Sequence, residues 1–82
     1  MLEFSNEARG AILIKFLALD AIVGTSRREV AFMEIAGRYG AWYRQARAEL
    51  IVDDCIDVPR FGFVRLTEAG YREALEWEAL LH

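Results

Sequence analysis

The arginines of this sequence are the side chains whose spacing suggests binding chemistry. Arg27, Arg28, Arg38, Arg44 and Arg47 face only Glu29 and Glu34 between residues 27 and 47, a local charge of +3. Arg60 and Arg65 add +2 over residues 59–67. The acids lie elsewhere, with −4 over residues 48–58 and −3 over residues 68–82, so the whole chain carries −3. That total disfavours nucleic acid. A partner, however, meets the charge of one face rather than the sum, and this chain can present a basic face.

Catalytic and metal chemistry find little material. Cys55 is the sole cysteine and His82 the sole histidine, so there is no internal disulfide, and the pair cannot make a zinc site. A Cys/His nucleophile pair would need an ordered histidine, and Cys55 reads as a buried structural residue. Asp53 and Asp54 are adjacent, so their side chains diverge, and no third ligand is evident. They read as a helix-to-strand corner. There is no glycine-rich phosphate loop, nucleophile elbow or metal-ligand spacing. The expectation is a protein that is not an enzyme, with no cofactor and no metal.

The elements that position the arginines follow from periodicity and capping signals. Eighty-two residues make one domain, 1–82, and 55% hydrophobic residues are enough for a core. Residues 5–23 read as a first helix opened by Ser5 or Asn6 and closed by Gly24. Lys15 and Asp20 leave it no clean polar stripe, so it is wrapped by the domain or shared with a second copy. Its apolar run, Ala11 to Val23, is too short and too charged to span a membrane. No basic segment precedes that run and no small-residue cleavage site follows, so the expectation is a cytoplasmic protein.

Ser26 and Glu29 fit a capping box for a second helix, to about Gly37, with Arg27 and Arg28 in its first turn. Val30, Met33 and Ile35 or Ala36 are its core candidates, and Phe32 extends the apolar surface. Gly37 and Gly40 bracket a turn. A third helix, 41–53, sets Tyr43, Ala46 and Leu50, with Ile51 beside them, on one face, leaving Trp42, Arg44, Gln45 and Arg47 largely outside it. Strands at 55–58 and 63–66 flank the turn Pro59-Arg60-Phe61-Gly62, in which Gly62 supplies positive φ. A fourth helix runs from 67 to about 81 with Thr67 as its cap. Gly70 weakens that helix by roughly 1 kcal/mol relative to alanine, which makes sense if another backbone packs against it.

The stretch Phe63-Val64-Arg65-Leu66-Thr67-Glu68-Ala69-Gly70 runs from strand into helix with no linker. It resembles the end of the wing in winged helix-turn-helix regulators, MarR-like and PadR-like proteins among them, where a strand reads into a Leu-Thr-x-x-Gly helix. The step from Leu50 to Ile56 is similar to the passage from recognition helix to wing in that family. Asp54 stands where glycine is usual and Cys55 where leucine is frequent, and aspartate tolerates the left-handed conformation. The resemblance covers residues 26–76. It implies a mainly α fold with a small β-hairpin, a winged helix-turn-helix of four helices plus a short two-stranded wing.

The resemblance also implies a partner, double-stranded DNA, and a role in transcription regulation. The helix 41–53 would enter the major groove, with Arg44 and Arg47 donating to guanine or phosphate and Gln45 pairing with adenine. Arg60 would meet the minor groove or phosphates at the wing tip. Arg27 and Arg28, with the amides of the second helix, would suit a phosphate. Trp42, beside Arg44, would stack or anchor a partner. For each of these residues the plain alternative is a solvated or core-edge position. The first and last helices are candidate surfaces for a homodimer. Two rival readings stand: a winged-helix protein-interaction module using Trp42 and Phe61, and a small α-bundle in which 55–66 crosses irregularly.

Overall fold

A computed structural model describes the backbone of residues 2–81 and the side chains from Ser5 to Leu81; His82 lies outside the described residues. The described residues are mainly helical, with four α-helices and a small three-stranded antiparallel sheet. In order these are α1 (Leu2–Ala18), β1 (Ser26–Arg28), a 3-10 turn (Glu29–Phe32), α2 (Met33–Tyr39), α3 (Ala41–Val52), β2 (Ile56–Asp57), β3 (Phe63–Leu66) and α4 (Glu68–Leu81). The strand order is β1-β3-β2. Among the described residues no helix is long and apolar enough to cross a membrane.

α1 ends earlier than Gly24. Asp20 takes the left-handed conformation (φ 54°), with Ala21 N donating to Phe16 O and Asp20 N to Leu17 O. Those two bonds are a Schellman stop, and Ala21 is buried just beyond it. Gly24 instead lies in the approach to β1, where its N–H donates to Leu66 O at 3.1 Å.

The largest correction concerns residues 26–32. Ser26 does not cap a helix, because Ser26, Arg27 and Arg28 pair with Arg65, Val64 and Phe63 as a third strand. The bonds Gly24 N to Leu66 O and Glu29 N to Gly62 O (2.8 Å) flank that pairing and zip the segment onto β3. A local capping signal is worth about 1 kcal/mol, and pairing along β3 with a backbone bond at each end outweighs it. α2 therefore starts at Met33, in a different phase from the expected helix. Phe32 is buried, its ring centroid 4.8 Å from that of Phe16, while Val30 and Met33 are exposed. Gly37 lies inside α2, and Gly40 alone (φ 57°) makes the break before α3.

The other local expectations hold. α3 buries Tyr43, Ala46 and Leu50, although Ile51 stays exposed. The hairpin has strands at 56–57 and 63–66, so 55–66 is not an irregular crossing. Asp54 is left-handed (φ 58°) and so is Gly62 (φ 84°). Thr67 caps α4, its Oγ1 accepting from Gly70 N at 3.1 Å and donating to a carbonyl, that of Asp54 or Cys55.

Gly70 is buried, and a Cβ there would overlap the carbonyl oxygen of Cys55. Leu13, Phe16, Phe32, Leu50, Ile56 and Leu66 form the centre of one core shared by α1, α3, the sheet and α4. Cys55 is buried among them. Along α4, by contrast, Leu75, Leu80 and Leu81 remain exposed.

Candidate functional site

The residues expected to meet a partner lie on three elements. In β1, Arg28 stands directly opposite Phe63 of β3, and opposed residues share a face of a sheet. The alternate residues Val64 and Leu66 point into the core, so Phe63, Arg65 and Arg28 belong to the outer face. Arg60 folds over the same ring, with its guanidinium carbon 4.0 Å from the Phe63 centroid. Arg65 is occupied by Asp57 through two bonds of 2.8 and 2.9 Å, which raise its pKa. Net positive charge on the outer face therefore comes from Arg28 and Arg60.

Arg27 faces the other way. Its guanidinium donates to the carbonyls of Leu19 (3.3 Å), Asp20 (3.5 Å) and Ser26 (3.1 Å). It ties β1 to the turn after α1 and satisfies carbonyls left over where that helix ends. Because Arg27 and Arg28 are in a strand, the expected phosphate cradle at a helix N-terminus does not form around them.

On α3 the expected residues separate. Arg44 is exposed and, among the described residues, makes no hydrogen bond or ion pair. Gln45 is exposed and donates to Glu49 at 3.3 Å. Arg47 is half-buried and clamped by both oxygens of Glu29, at 2.6 and 3.0 Å. That bidentate pair raises the Arg47 pKa. Tyr43 donates to the same carboxylate at 3.3 Å, and burial, with the nearby charge, pushes its hydroxyl up to about 12. Glu29 was expected to cap a helix. It instead joins the hairpin, through its N–H on Gly62, to α3, through Arg47 and Tyr43.

Trp42 and Phe61 do not make one patch. Trp42 is half-buried at the core edge and lines a small groove with Glu7, Arg38 and Tyr39. A larger groove of about 530 Å³ lies between α1, α2 and α4, floored by Gly10, Ala11 and Ile14 and walled by Ile35 and Trp77. Phe61 lines neither groove and is 99% exposed at the hairpin tip.

Sequence reasoning missed the densest polar cluster. Arg9 of α1 donates to Glu73 of α4 at 2.6 and 2.7 Å and to Asp53 at 2.7 Å. Trp77 Nε1 adds a bond to Glu73 at 3.1 Å. Arg9 thereby holds the Glu73 carboxyl below the usual carboxylate range. Burial and the Glu73 charge push the neighbouring Cys55 thiol up, the direction away from a reactive thiolate. The available signal was Arg9 itself, a lone cation on an otherwise apolar helix face. Among the described residues no three His, Cys, Asp or Glu side chains are grouped to hold a metal. No family model, curated protein or solved structure matches the chain.

Proposed function

We propose that this chain is a winged-helix domain that binds duplex DNA and serves in transcription regulation. The observation that carries the reading is topological. The order α1-β1-α2-α3-β2-β3-α4, with β1 joining the hairpin in a β1-β3-β2 sheet, supports a winged-helix reading in which α3 would serve as recognition helix and 55–66 as wing. α2 and α3 meet at Gly40, a tighter connection than the usual helix-turn-helix turn, so they support the reading by their order.

In this reading Arg44 and Gln45 face base edges while Arg28 and Arg60 meet phosphates. Arg47 enters only if Glu29 releases it, and Arg27 acts by holding β1 in place. Trp42 supports the helix-turn-helix from the core edge.

The test is a titration of duplex DNA across salt. Wild type is expected to bind at low salt, Arg28→Ala to weaken binding and flatten the salt slope by about 1, and Arg44→Ala to weaken binding and relax base preference with the slope kept. Absence of binding at low salt, or two variants that bind like wild type, overturns the reading.

A second reading is favoured by the groove between α1, α2 and α4 and by exposed Leu75, Leu80 and Leu81. Here α1 and α4 form a contact surface for a second copy of the chain, or the domain is a protein-interaction module with no DNA role. Mass measurement in solution separates monomer from dimer, and Leu80→Glu would split a dimer that used this face.

A further inference from the structure

We infer that Phe61 is a wedge that enters between stacked base pairs from the minor groove and bends the duplex. The inference rests on the DNA-binding reading and deepens it. Phe61 occupies the second position of the turn 60–63, which is closed by Phe63 N donating to Arg60 O at 3.1 Å. It is 99% exposed, so its ring has no place in the core. The turn is held from three sides. Gly62 takes φ 84°, Gly62 O accepts from Glu29 N, and Arg60 lies on the Phe63 ring. A wedge must be presented rigidly, because parting a base step costs a few kcal/mol and a floppy tip would add an ordering cost.

The charges around the ring select the partner. Asp57 is neutralised by Arg65 and Glu29 by Arg47, so the cations left near the tip are Arg28 and Arg60. A single protruding ring flanked by cations matches a base step flanked by phosphates. Protein interfaces need a broader apolar core than one ring.

The experiment uses the full chain and a duplex of roughly 25 base pairs, long enough to report a bend, labelled at both ends for energy transfer. Flexible TA steps in that duplex carry 2-aminopurine, whose emission rises on unstacking. Wild type is expected to raise the emission and shorten the end-to-end distance. Phe61→Ala should lose both signals and bind about tenfold more weakly, the lower part of what an aromatic–base stack contributes, with an unchanged salt slope. Phe61→Leu keeps an apolar wedge and should retain part of the bend.

Phe61→Ala changes only an exposed ring, so its thermal midpoint should match wild type and exclude misfolding. If wild type binds without unstacking, or Phe61→Ala bends DNA as wild type does, the wedge is refuted while DNA binding stands. If wild type does not bind duplex at all, the underlying reading fails with it.

Discussion

The same substitution, glycine to alanine, should have opposite effects at two helical positions of this chain. In α2, Gly37 has nothing within 4 Å of where a Cβ would sit. Gly37→Ala should therefore gain only the helix term, about 0.5–1 kcal/mol of stability. In α4, the Cβ of Gly70→Ala would overlap the Cys55 carbonyl and stand 2.8 Å from Leu66 Cδ1.

The Cys55 carbonyl cannot easily retreat. It accepts from Thr67 N at 3.0 Å and is 2.9 Å from Thr67 Oγ1. Overpacking against backbone costs about 3 kcal/mol. Weakening the two bonds adds roughly 1 kcal/mol each. The helix term returns about 1 kcal/mol, leaving Gly70→Ala near 4 kcal/mol less stable. For a domain of this size that is a fall in thermal midpoint of roughly 15–30 °C, against a rise of a few degrees for Gly37→Ala. Thermal melts followed by circular dichroism decide it. A Gly70→Ala protein that melts at or above wild type would refute the close approach of α4 to the Cys55 peptide.

Thr67→Ala removes the α4 cap and should cost about 1.5 kcal/mol, read from urea midpoints at constant m-value. Glu73 has a folded pKa depressed by Arg9, so its contribution is fully present above the ordinary carboxylate value and is lost as pH falls through the lower folded one. Wild type should lose this contribution as pH falls below the ordinary carboxylate range, whereas Glu73→Gln should be less stable at neutral pH and flatter across that window. Melting curves at stepped pH compare the two; parallel curves would count against the Arg9–Glu73 pair. Glu29→Gln releases Arg47 and removes one negative charge beside the hairpin, so duplex binding should tighten and the salt slope should steepen by about 0.9. Weaker binding would mean that Arg47 serves better clamped than free.

Some parts of this architecture were legible in the sequence because their causes are local. Asp54 and Gly62 follow an intrinsic backbone preference, Thr67 caps the helix that starts at the next residue, and Gly70 stands out because glycine is costly inside a helix. The α3 stripe of Tyr43, Ala46 and Leu50 is likewise internal to one helix. β1 was not legible, since Ser26 and Glu29 carry a proper helix-start signal and their true partners, Arg65 and Gly62, are remote in the chain. That one segment carried several other departures with it. Placing 26–28 in a sheet moved Arg27 onto the carbonyls after α1, set the phase of Phe32, and brought Glu29 to Arg47. Arg44 and Phe61 kept their expected exposure because nothing long-range acts on them.

The peptide of Cys55 gathers the turn after α3, the strand-to-helix junction and the first turn of α4 around one oxygen. All of these groups lie between Asp54 and Gly70. Loop closure over so short a span costs little entropy, and contacts close in sequence form early in folding. The stretch from Asp54 to Gly70 thus closes only short loops, and the expectation is that β1, whose partners are remote in the chain, joins the sheet later. In native-state amide exchange, Thr67 and Gly70 should open only with global unfolding, while the bonds of Gly24 and Glu29 open first.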